Sequence, residues 1–126
     1  MEILSSRLLI RPRDLDASTS FYRDVLRLAV YREFPGGTVF FAGQGLIEVS
    51  GHSSASATPA GQLWLQVRDL DTAVRELAEH DVPVLRERLR EPWGLDEMWI
   101  ADPDGRHIVL VEVPADHPMR ADRRAD

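Results

Sequence analysis

Few side chains in this sequence can do acid–base or nucleophilic work. Cysteine is absent from all 126 residues, which removes disulfides, thiolate metal sites and cysteine nucleophiles together. His107 closely follows the run Asp102-Pro103-Asp104-Gly105. An imidazole there titrates near neutrality and can serve as a general base; the simpler reading is a partly exposed strand histidine beside a turn. Glu48, within the apolar run from Leu46 to Ser50, is the other candidate base. Trp64 and Trp99 lie in apolar segments. An indole can stack on a flat ligand while its N–H finds an acceptor, or it can simply be core. Trp93 belongs to the loop Glu91-Pro92-Trp93-Gly94-Leu95, a place for a lid or an interface. Glu97, two residues from Trp99, is placed to attract a cationic ligand. His52, His80 and His117 fall in a connector, a helix end and a polar tail, and receive no role.

Whatever positions these groups is spelled twice. Arg13-Asp14-Leu15-Asp16 returns 55 residues later as Arg68-Asp69-Leu70-Asp71. Each copy follows a short apolar run, Leu8-Leu9-Ile10 or Leu63-Trp64-Leu65, and precedes a helix-like segment. A repeat of this kind implies two copies of one supersecondary unit, with related faces around a shared cleft where a ligand binds. A short carboxylate caps free helical N–H groups, so Asp14 or Asp16 starts a helix over 15–27, with Leu15, Phe21, Val25 and Leu26 as its apolar stripe. Strands are expected at 7–11, 29–34, 38–42 and 46–50. The second copy runs strand 62–68, helix 70–80, then strands 83–90, 97–101 and 106–113. Residues 1–52 form the first module, 53–61 a Ser/Ala/Gly-rich linker, 62–114 the second module and 115–126 a polar tail. The fold class is α+β, two βαβββ modules forming a curved mixed sheet cleft.

Composition narrows the partners. A formal charge of −6 argues against a nucleic-acid footprint, and all 15 basic residues are arginines. No apolar stretch approaches the ~20 residues of a membrane helix, and the N-terminus has no basic region before an apolar core. A soluble cytoplasmic protein is the expectation.

The order βαβββ twice, the Arg-Asp-Leu-Asp helix starts, Phe21-Tyr22-Arg23-Asp24-Val25-Leu26 and the final Asp102-Pro103-Asp104-Gly105 together resemble the vicinal oxygen chelate superfamily. That group includes glyoxalase I, extradiol dioxygenases, fosfomycin-resistance enzymes and bleomycin-resistance proteins. The resemblance covers about residues 3–113. It implies a divalent metal held from four strands, and the matching positions here are Arg7, Glu48, Gln62 and Val109. Arginine carries a fixed positive charge and valine has no donor atom, so those residues make a poor site. An Arg7–Glu48 ion pair stands more simply where the metal would be, and no cofactor is expected. Alternation along the strands then places Leu9 and Arg11 beside Arg7, Trp64 and Gln66 beside Gln62, and His107 beside Val109, all facing the cleft. The resemblance adds Trp99 as a substrate-contacting aromatic.

Within that resemblance, the metal-free bleomycin-resistance branch is nearest in character. It implies non-catalytic binding of an aromatic or polycyclic small molecule, with natural-product antibiotic resistance as the role and a homodimer as the assembly. A second reading is a lyase or isomerase of the same superfamily with an atypical metal site or none, working through Glu48 and His107. A third is an interaction module with a vestigial cleft.

Overall fold

The computed structural model describes residues 2–54 and 62–118. Most of the expected linker (55–61) and the end of the expected tail (119–126) lie outside the described residues. The chain divides into two compact units, one built on the first module together with residues 103–105, the other on the second module.

The first unit holds β1 (Leu8–Ile10), α1 (Leu15–Ser20), β2 (Val30–Phe34), β3 (Gly37–Ala42) and β4 (Gly45–Ser50). The second holds β5 (Gln62–Gln66), α2 (Leu70–Ala78), β6 (Val84–Arg90), β7 (Asp96–Ala101) and β8 (His107–Glu112). Each unit has one four-stranded mixed sheet, ordered β1-β4-β3-β2 in the first and β5-β8-β7-β6 in the second. The first strand of each module pairs in parallel with the last, and the other pairs are antiparallel. The expected βαβββ order is therefore present in both halves.

Local chemistry explains the element ends. Asp14 accepts from the Ala17 amide at 3.0 Å and Asp69 from the Asp71 amide at 2.9 Å, so the repeated Asp does the same capping work twice. Asp102 accepts from the Arg106 amide at 2.8 Å, and Gly105 takes φ +82°, closing the turn before β8. At Gly37 a Cβ would sit 2.5 Å from that of Ser50 and 2.6 Å from the Phe34 ring, so only glycine lets β2, β3 and β4 close together there.

The first helix departs from the expected 15–27 span. It is α-helical only to Ser20 and continues as a π-turn over Phe21–Val25. The extra residue in the turn rotates the chain, and Tyr22, outside the expected stripe, becomes wholly buried beside Phe21. Its ring meets Phe21 edge-on at 5.2 Å and Phe40 at 6.4 Å. Leu15, Val25 and Leu26 stay half-buried. The strand expected over 62–68 ends at Gln66.

The repeat extends to register. Across the first sheet Leu9, Glu48, Val39 and Arg32 lie in one row. Across the second, Trp64, Val109, Trp99 and Arg86 occupy the matching row. Both edge strands slip at the same place, Val30/Arg32 and Val84/Arg86. The opposite faces carry the core: Ile10, Phe40, Ile47 and Val49 in one sheet, Met98, Ile100, Ile108 and Leu110 in the other, all buried. Each helix packs on that core face, and Glu112 Oε1 accepts the Leu70 amide at 2.8 Å.

Candidate functional site

The chemistry-bearing residues sit on the face of each sheet away from its helix. In the first unit Glu48 is the centre. Its Oε1 accepts from Arg7 Nη1 at 2.9 Å. Its Oε2 accepts from the Ser50 hydroxyl at 2.6 Å and lies 3.6 Å from Arg11 Nη1. Arg11 Nη1 also donates to Ser50 Oγ and to the Ser50 carbonyl. The Ser50 hydroxyl first, then Arg7, hold the Glu48 carboxyl below its ordinary range, against a smaller opposing effect of burial. A carboxylate so engaged is a weak base and a weak metal ligand. Around it Leu9 and Phe41 are 49% and 44% exposed, Tyr31 meets Phe41 at 5.0 Å, and the Arg32 guanidinium lies 5.5 Å from the Phe34 ring centre.

In the second unit the matching row is aromatic. Val109, at the position equivalent to Glu48, is only 5% exposed and packs with Leu95, Val111, Val113 and Trp99. Trp64 is 46% exposed. Trp99 is half-buried, with the Arg86 guanidinium 4.0 Å from its ring centre and the His107 ring edge-on at 5.0 Å. Trp64 is thus the more open indole. Gln62 Nε2 lies 3.0 Å from His107 Nδ1, which orients the imidazole and leaves its buried Nε2 without a protein partner among the described residues. Gln66 is exposed beside Val111 in the register. Arg86 is held by Glu91 at 2.6 Å and by the Glu97 carbonyl at 3.1 Å.

One sequence expectation changes. Glu97 is buried, and its Oε2 accepts from Trp93 Nε1 at 2.8 Å, so it serves its own loop rather than drawing a cation. Trp93, 58% exposed, is tethered by that same bond. Three partners were missed. Arg11 and Ser50 as holders of Glu48 were readable from alternation, since both fall on its face. Arg86 over Trp99 was hidden by the edge-strand slip, which breaks simple counting.

The four positions that the resemblance assigns to a metal do not suit one. Arg7 is a fixed cation, both Glu48 oxygens are taken, the Gln62 amide is engaged with His107, and Val109 is an apolar buried group. Among the described residues no three His, Asp or Glu side chains gather where an ion would be held.

Comparison with known proteins agrees with the fold. A family model described as Glyoxalase/Bleomycin resistance protein/Dioxygenase superfamily matches residues 5–110. No curated protein matches in sequence. A protein of unknown function from Agrobacterium tumefaciens is 26% identical, with a TM-score of 0.74 over 90% of this chain and 95% of that one. Lactoylglutathione lyase from the same species is 24% identical, with a TM-score of 0.66 over 88% and 92% of the two chains. A glyoxalase-related enzyme from Fulvimarina pelagi is 19% identical, at 0.73 over 91% of each. Among the described residues no helix is long and apolar enough to cross a membrane.

Proposed function

We propose that this chain, which belongs to the glyoxalase/bleomycin resistance protein/dioxygenase superfamily, binds an aromatic or polycyclic small molecule, of the kind found among antibiotic natural products, and leaves it chemically unchanged. One observation carries the reading: Glu48, the single acidic residue at the metal-associated positions, has both oxygens committed to Arg7, Arg11 and Ser50. With Val109 apolar, the machinery for polarising a substrate oxygen is missing from the residues that would supply it. What remains suits recognition. Trp64 presents an open indole, and stacking on it contributes about 0.5–1.5 kcal/mol beyond area burial. Gln62, Gln66 and His107 line the same sheet face as polar groups able to orient a ligand.

A superfamily lyase or isomerase is the second reading, favoured by one detail: Gln62 fixes the His107 ring, as an orienting partner fixes a general base. One experiment separates the two. The purified protein is incubated with a panel of aromatic natural products, tryptophan quenching is followed, and the ligand is recovered for mass analysis. Quenching that weakens at least tenfold in Trp64→Ala, with ligand mass unchanged, is the expected result. Recovery of an altered ligand, with alteration lost in His107→Ala, establishes the enzyme instead. Sedimentation of the same sample tests the homodimer that accompanies this proposal.

A further inference from the structure

The charge on the first sheet points to the class of ligand. In a chain of net charge −6, the face carrying Glu48 is locally positive. By register and alternation it holds Arg7, Arg11 and Arg32, and Glu48 is the one acid on it among the described residues. One carboxylate shared between Arg7 and Arg11 leaves an excess positive charge before Arg32 is counted. Arg11 is the open member of the set. Its side chain is 49% exposed against 32% for Arg7, and only its Nη1 is used, on Ser50 and Glu48. The Nε–Nη2 edge has no partner among the described residues. That edge is the side of a guanidinium that receives a planar carboxylate through two parallel N–H bonds. Exposed apolar groups lie on the same face, with Leu9 next to Glu48 in the register and Phe41 two residues from Val39.

We infer that this face takes the carboxylate of an aromatic acid on the free edge of Arg11, with the ring of the acid lying over Leu9. The inference rests on the binding reading above only in that the chain takes aromatic small molecules; it concerns the face of the first sheet by itself and gives the class of ligand for that face as anionic. Glu48 then has a role unlike a catalytic one. It holds Arg11 in place through Oε2 and Ser50, while its own charge competes with the ligand.

Three probes of matched shape test this by calorimetry: 2-naphthoate, its neutral analogue 2-acetylnaphthalene, and 2-naphthylmethylammonium. In the unaltered protein 2-naphthoate binds at least tenfold tighter than the ketone, and the ammonium binds weakest. Arg11→Met and Arg11→Gln bring naphthoate down to the affinity of the ketone and leave the ketone unchanged. Glu48→Gln tightens naphthoate several-fold, because removing the competing carboxylate raises the local charge; a carboxylate acting as base or ligand holder predicts the reverse. Equal binding of naphthoate and ketone by the unaltered protein, or a preference that survives both Arg11 variants, overturns the anionic-ligand inference alone. Absence of binding by all three probes, together with no quenching by the natural-product panel, overturns the binding reading and this inference with it.

Discussion

At the scale of single residues, Glu48 shows how the neighbours of a carboxylate decide what it can do. The Arg7–Glu48 pair was legible from side-chain chemistry at two family positions. Alternation also put Arg11 and Ser50 on that face, but nothing in the spacing alone says that Ser50 Oγ turns toward Glu48 rather than to solvent. Their effect has a pH signature. The folded Glu48 carboxyl is depressed, mainly by Ser50 and then Arg7, below the 4.5 of an unperturbed Glu. A depressed carboxylate contributes stability that is full above its unfolded value and is lost as pH falls through the folded one. Stability should therefore fall with acid below about pH 4.5 through this group. In Glu48→Gln the same acid limb should be shallower, while stability at pH 7 drops. Denaturant titrations at pH 7, 4 and 3 measure both. An unchanged acid slope in the variant would show that the contacts to Arg7 and Ser50 do not discriminate the charged carboxylate.

At the scale of elements, the doubled Arg-Asp-Leu-Asp was the most readable feature, because an N-cap is chemistry between neighbours in sequence. Of the two caps expected for the first helix, Asp14 rather than Asp16 does the work, and its repeat counterpart Asp69 caps the second. Asp14→Ala and Asp69→Ala should each cost about 1 kcal/mol in equilibrium denaturation, a typical loss for a helix cap. Near-additivity in the double variant is expected, since each bond is local to its own helix. Features that depend on several segments at once were less legible. The π-turn at Phe21–Val25 arises where Tyr22 must reach Phe40, and a 3.6-residue pattern assigned that burial to other positions. The slip at Val84/Arg86 sets which arginine lies in the Trp99 row, as the slip at Val30/Arg32 sets Arg32 in the Val39 row, and strand alternation alone cannot count across a slip. Yet the first slip recurs in both sheets, and β6 adds a second at Arg86/Leu89 that β2 lacks.

At the scale of the whole chain, the residues at the four positions that the resemblance assigns to a metal make a joint prediction about cation binding. A divalent ion that bound the folded state with a dissociation constant of 1 μM would, at 100 μM, stabilise it by about 2.7 kcal/mol. For a chain of 126 residues that corresponds to a rise in Tm of roughly 10 °C, well within reach of a thermal-shift measurement. The donors here are one carboxylate held by two guanidiniums and a hydroxyl, one amide engaged with an imidazole, a guanidinium and an isopropyl group. A cation approaching Glu48 would have to break the Arg7 bond and then sit beside two uncompensated positive charges. We therefore expect Zn, Ni, Mn and Fe(II), each at 100 μM after stripping with chelator, to move Tm by less than about 1 °C. A rise of several degrees with one of them, abolished in Glu48→Ala, would mean that the ion displaces both arginines. It would also restore polarisation chemistry to the set of possible activities.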